Sequence, residues 1–168
     1  MTKSLLVFGY GNPSRGDDAL GPELLTRLED ERTRRPDWAD IDLLTDFQLQ
    51  VEHALDLEGR GLALFIDASV ACAAPFAFSR LHPEKDTSYT SHALSPAAVL
   101  HVWQQVKGVP PPPSFLLTVR GYSFELGEPL SLAARENLEA AYRFALGLCE
   151  DRAPAAWGRL LTGRSPEA

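Results

Sequence analysis

The sequence predicts a three-layer α/β fold, a mostly parallel twisted sheet with helices on both faces. Three observations carry this. Apolar runs of strand length recur at Leu5-Leu6-Val7-Phe8, Leu62-Ala63-Leu64-Phe65-Ile66 and Phe115-Leu116-Leu117-Thr118-Val119. Such continuous runs suit strands buried on both faces. Helical patterns alternate with them, and the first run passes through a glycine turn into a helix.

The first unit spans Leu5 to Leu28. Its strand ends in Gly9-Tyr10-Gly11-Asn12, and a polar loop leads to the adjacent carboxylates Asp17 and Asp18. The helix after them places Leu20, Leu24, Leu25 and Leu28 on one side. Glycines in the turn admit a positive φ or a close backbone approach. The carboxylates then lie at the carboxyl end of a strand, where open α/β sheets hold their ligands. A dinucleotide fingerprint is disfavoured, because its third glycine position is Ser14 and an acidic pair repels a pyrophosphate. Taken alone, Asp17 and Asp18 read as helix-capping groups or as cation ligands.

Pro36 breaks a charged stretch, and Ile41-Asp42-Leu43-Leu44-Thr45 follows as a short strand. Asp46-Phe47-Gln48-Leu49-Gln50 reads as a loop, and Val51 to Glu58 as a short helix stopped by Gly59-Arg60-Gly61. The strand from Leu62 ends on Asp67-Ala68-Ser69. Phe76 to Leu81 alternates as an edge strand. Ser95-Pro96 starts a helix, with serine at the N-cap and proline in the first turn, and Val99, Val102, Trp103 and Val106 form its expected buried face. After Pro110 to Pro113 comes the strand from Phe115, and Ser131 caps a long helix carrying Leu138, Ala141, Tyr142, Ala145 and Leu148. The order is β-α-β-α-β-β-α-β-α. Residues 1–150 read as a single domain and 151–168 as a loosely held C-terminal tail, with Trp157, Leu160 and Leu161 as an anchoring turn.

Composition narrows the function. A chain of 168 residues buries about 70% of its unfolded surface. The net charge of −7 argues against nucleic acid as a partner. Cys72 and Cys149 form no zinc or redox spacing and read as core thiols of a reducing compartment. No stretch approaches the ~20 apolar residues of a membrane span, and none has the form of a signal peptide, so the expectation is a cytoplasmic protein with no membrane partner, working as a monomer. His-Glu-x-x-His and Gly-x-Ser-x-Gly are both absent, and neither cysteine neighbours a base motif, which argues against a covalent nucleophile.

Asp67 ends the clearest strand as Asp18 follows the first, and His92 precedes a helix on the same side of the sheet. If the strands are neighbours, two carboxylates and an imidazole converge, a set suited to nickel, manganese, zinc or iron. Against this, Asp67 also reads as a turn cap and His92 as part of a helix-entry loop. His53, His82 and His101 fit structural roles.

Gly9-x-Gly11-Asn12-(x)4-Asp17-Asp18-x-x-Gly21 resembles the N-terminal signature of the hydrogenase maturation proteases, endopeptidases that trim the C-terminus of the nickel–iron hydrogenase large subunit. The resemblance extends through Ile66-Asp67-Ala68, Ser91-His92 and Gly127-x-Pro129-Leu130-Ser131, covering about residues 3 to 148. It departs at Pro13-Ser14-Arg15, where the family is usually apolar, and at Ala19, where it usually has glycine. The resemblance implies an endopeptidase whose Asp18, Asp67 and His92 are the catalytic and metal-binding residues. It implies that the nickel is supplied by the substrate's nickel–iron centre, and that the partner is the hydrogenase large-subunit precursor. Two other readings stand beside it: a non-enzymatic nickel-binding assembly factor on the same scaffold, and a small-molecule α/β hydrolase using its carboxylates for acid–base work.

Overall fold

A computed structural model describes residues 5–86 and 94–162. Among them, five strands form one sheet in the order β2-β1-β3-β5-β4. The strands are β1 (Leu5–Tyr10), β2 (Ile41–Asp46), β3 (Ala63–Ser69), β4 (Phe76–Leu81) and β5 (Ser114–Arg120). All pair in parallel except β4, which runs antiparallel to β5 at the edge. The helices are α1 (Leu20–Arg32), α2 (Pro96–Lys107), α3 (Leu132–Glu150) and the short α4 (Pro154–Gly158). The short helix expected near residue 51 forms as a 3-10 helix, Val51–Leu57.

Alternation along β1 decides the two cores. Leu5 and Val7 face α1 and α3, with Leu24, Leu28, Ile66 and Leu138. Leu6, Phe8 and Tyr10 face the other layer, with Leu57, Phe65, Val99 and Trp103. Because the strands are covered on both faces, β1 is buried at every position. Ser95 and Ser131 cap α2 and α3 as the sequence predicts, their hydroxyls accepting the N–H groups of Ala98 and Ala134 at 3.1 and 3.2 Å. The expected buried face of α2 is shifted: Ala98, Val99, Leu100 and Trp103 are buried, whereas Val106 is 66% exposed. The helix sits against the sheet through its first two turns, and Val106 lies beyond the last of them.

At the other end of the chain the turn anticipated around Trp157 forms as α4. Its indole is fully buried against Phe78 and Phe115 and donates to the main-chain oxygens of Leu148 and Asp151 at 3.0 and 2.8 Å. Among the described residues no helix is long and apolar enough to cross a membrane.

The chain leaves β1 for β2 on one side and takes β3 on the other. The order reverses between β1 and β3, so a crevice opens at their carboxyl ends, the usual ligand position of such sheets.

Candidate active site

The turn after β1 delivers two carboxylates in opposite directions. Gly11 has φ +146°, and a Cβ there would run into the main-chain oxygen of Asp18. That close approach folds the loop back on itself. The Asn12 N–H donates to Asp18 Oδ2 at 2.7 Å, fixing this carboxylate at the mouth of the crevice with its other oxygen open. Gly16–Ala19 is a 3-10 turn, so Asp17 points inward, away from its neighbour.

Asp17 is fully buried. It accepts the N–H groups of Tyr122, Ser123 and Ser131 at 2.7, 3.2 and 2.8 Å, and the Ser131 hydroxyl at 2.8 Å. It therefore ties the first loop to the segment between β5 and α3. Burial works against its charge, but the hydrogen bonds from Ser131, Tyr122 and Ser123 outweigh it and hold the carboxyl below its ordinary value. The capping role read for Asp17 is corrected here: its carboxylate makes no cap bond to its own helix. It is a cross-chain staple, and an anionic one.

Asp67 follows Ala63 and Phe65 on the α2 face of β3, as Tyr10 follows Leu6 and Phe8 on β1. The register pairs Gly9 with Ile66, so Tyr10 and Asp67 come level at the carboxyl edge. Asp67 Oδ1 accepts the Ala68 N–H at 2.8 Å, and the Tyr10 hydroxyl donates to the same carboxylate. Burial above all pushes Asp67 up to about 7. The Asp18 charge adds to this, against the stabilising bonds from Ala68 and Tyr10. Burial likewise pushes the Tyr10 phenol well above its ordinary value, with Asp67 and Asp18 adding to it.

The structure thus brings Asp18 and Asp67 into one crevice, while Asp17 belongs to the scaffold. His92, the third residue expected there, lies outside the described residues. Among those described, no group of three or more His, Cys, Asp and Glu side chains stands together as a metal site. The two carboxylates repel each other and retain unused oxygen lone pairs, which a divalent cation would satisfy.

Two contributors were not legible in the sequence. Tyr10 reads there as the last core residue of a strand; only the pairing of β1 with β3 sets its hydroxyl on Asp67. His53 reads as a residue of a short helix. Its Nδ1 accepts the Gln50 N–H at 2.8 Å and its Nε2 donates to Asp46 Oδ2 at 3.1 Å, so it braces the loop after β2 that flanks Asp18. The spacing Asp46–Gln50–His53 is a signal only in retrospect, since many short helices carry it.

The fold has counterparts among solved structures. The nickel–iron hydrogenase maturation protease HycI from Thermococcus kodakarensis superposes with a TM-score of 0.67 at 21% identity, covering 89% of this chain and 94% of that one. The hydrogenase maturating endopeptidase HybD from E. coli gives a TM-score of 0.67 at 26% identity, over 88% and 93%. An endopeptidase from Escherichia coli gives 0.65 at 24% identity, over 88% and 93%. No protein-family model and no curated sequence matches the chain.

Proposed function

From a fold shared with the hydrogenase maturation proteases, we propose that this chain is an endopeptidase that removes the C-terminal peptide of a nickel-loaded hydrogenase large-subunit precursor. The observation that carries the reading is the pairing of Asp18 and Asp67 at the switch point between β1 and β3, in a fold common to proteins of that activity. The nickel belongs to the substrate. Asp18 and Asp67 are the residues that hold it, joined by His92 as the sequence resemblance implies. Bound there, the metal draws the scissile segment to the crevice and supplies Lewis acidity toward its carbonyl.

The chain's own groups support this chemistry. The Asn12 N–H fixes one oxygen of Asp18 and leaves the other for a ligand, and the Ala68 N–H fixes Asp67. The Tyr10 hydroxyl limits rotation of Asp67. With its carboxyl near neutrality, Asp67 also exchanges a proton at the pH of the reaction, as general acid–base work requires.

The test is precursor incubated with the protein and read by intact mass, with nickel-loaded and nickel-free precursor compared. Loss of the C-terminal peptide is expected only from the loaded form. Asp18→Asn, Asp67→Asn and His92→Ala should each leave a folded protein with processing slowed at least about a hundredfold, the scale of removing a charged group that acts on the transition state. Processing at the normal rate by all three variants would remove these residues from the reaction. Equal cleavage of nickel-free precursor would remove the metal from recognition. An assembly factor would bind the precursor without shortening it.

A further inference from the structure

Beside Asp18 the crevice continues into an open cleft of about 530 Å³ that the proposed cleavage chemistry leaves unused. One wall is the loop after β1, with Asn12 and Arg15; the other is the loop after β2, with Phe47 and Gln48. The second loop is rigidly braced. The Phe47 N–H donates to Asp46 Oδ1 at 2.7 Å, and His53 bridges Asp46 and Gln50. Leu49 is fully buried and its main-chain oxygen accepts the Leu94 N–H at 3.1 Å. The His53 ring packs edge-on against Phe8, centroids 4.7 Å apart.

Phe47 is nevertheless 63% exposed. A phenyl ring on a loop held at Asp46, Phe47, Leu49 and Gln50 is displayed, not loose, and its face is open to an apolar side chain lying in the cleft. Across the cleft, the Arg15 guanidinium has no ion-pair or hydrogen-bond partner among the described residues. Of its two acidic neighbours, Asp46 uses both oxygens on the Phe47 N–H and His53, and Asp18, held by Asn12 through one oxygen, keeps the other for the metal of the proposed reaction. The cleft therefore offers a fixed aromatic ring, a side-chain amide at Gln48 and an unpaired cation whose planar fork matches a carboxylate.

We propose that this cleft is a reading subsite for an extended peptide segment bearing a carboxylate. Arg15 meets the carboxylate, Phe47 packs on an adjacent apolar side chain, and Gln48 pairs with a main-chain amide. The proposal rests on the endopeptidase reading, and it makes Arg15 and Phe47 determinants of which segment lies next to Asp18. The carboxylate has two sources in such a substrate, an acidic side chain or the terminus of the chain.

The experiment uses the full chain, labelled with nitrogen-15, titrated with three synthetic peptides. They are Ac-Ala-Val-Glu-Ala-Val-amide, its Gln analogue as the amide, and the Gln analogue as the free acid. Saturable shifts of the Arg15 Nε–H and of the Phe47 and Gln48 signals are expected with a carboxylate-bearing peptide and not with the uncharged one. Response to the Glu amide assigns an acidic side chain; response only to the free acid assigns the terminus. Arg15→Gln should weaken binding about tenfold. Arg15→Glu should transfer the preference to a peptide with Lys in place of Glu, a reversal that a merely structural role does not produce. Equal binding of all three peptides, no binding of any, or unchanged affinity in Arg15→Gln overturns the subsite. Precursor processing is measured alongside. Peptide discrimination in a protein that shortens no precursor ends the endopeptidase reading alone, and processing without discrimination ends the subsite alone.

Discussion

Asp17→Asn is expected to destabilise the protein by about 2–4 kcal/mol, because an amide turns two donor hydrogens toward a cradle made of donors. The four groups it now satisfies come from Tyr122, Ser123 and Ser131. Its folded carboxyl lies below the ordinary value, so its contribution is present above the unfolded pKa and is lost as pH falls through the folded one. Urea unfolding should show the gap between wild type and variant closing as the solution is acidified below about pH 4. Asp67 has the opposite sign. Its carboxyl is raised to about 7, so its contribution is present below the unfolded pKa and lost as pH rises through 7. Asp67→Asn should therefore gain stability relative to wild type between pH 5 and pH 8, by about 2 kcal/mol. A midpoint difference that stays constant over this range would show that Asp67 is not destabilised as a charge. Adjacent in sequence, Asp17 and Asp18 are chemically indistinguishable on the page. A 3-10 turn parts them, and Asp17 is then held by partners more than a hundred residues away, Asp18 by Asn12 in the same loop.

At the scale of elements, the site depends on how closely α1 lies against β1 and β3. A Cβ on Gly21 would meet the main-chain oxygens of Tyr10 and Ile66, which belong to the sheet and have nowhere to go. Gly21→Ala should cost about 1–3 kcal/mol and displace the Asp18 turn, so that processing falls as well. Gly147, exposed in the last turn of α3 with open space at its Cβ, is the contrast. Gly147→Ala should stabilise by about 0.5–1 kcal/mol without touching activity. Thermal melts of both variants, with processing measured alongside, test the pair. The element order, the mostly parallel sheet with an edge strand at Phe76–Leu81 and the caps at Ser95 and Ser131 were legible in the sequence, since period, N-cap chemistry and continuous apolar runs are local signals; that the edge strand runs antiparallel was not. The meeting of Asp18 with Asp67 was readable only as a condition on strand adjacency. The brace at His53 and the bond from Tyr10 to Asp67 depend on tertiary pairing that no local pattern encodes.

For the molecule as a whole, the last helix is part of the structure that sets the sheet. Trp157 fills the space over Phe78 and Phe115, with its N–H shared between two main-chain oxygens. Trp157→Ala should cost about 3–5 kcal/mol, the range for emptying a large aromatic site in a core. Chemical denaturation checks this, and a loss under 1 kcal/mol would mean that α4 is only laid on the surface. Beyond α4 the chain reaches β4, where the Thr162 N–H donates to the Phe78 oxygen at 2.9 Å and the Phe78 N–H donates to Thr162 Oγ1 at 2.6 Å. Both main-chain groups of Phe78 that point away from β5 are thus already taken. A strand from another molecule arriving at this border finds the middle of its template occupied by the protein's own Thr162. The chain carries its own stopper against ladder growth, on the side of the sheet away from the crevice.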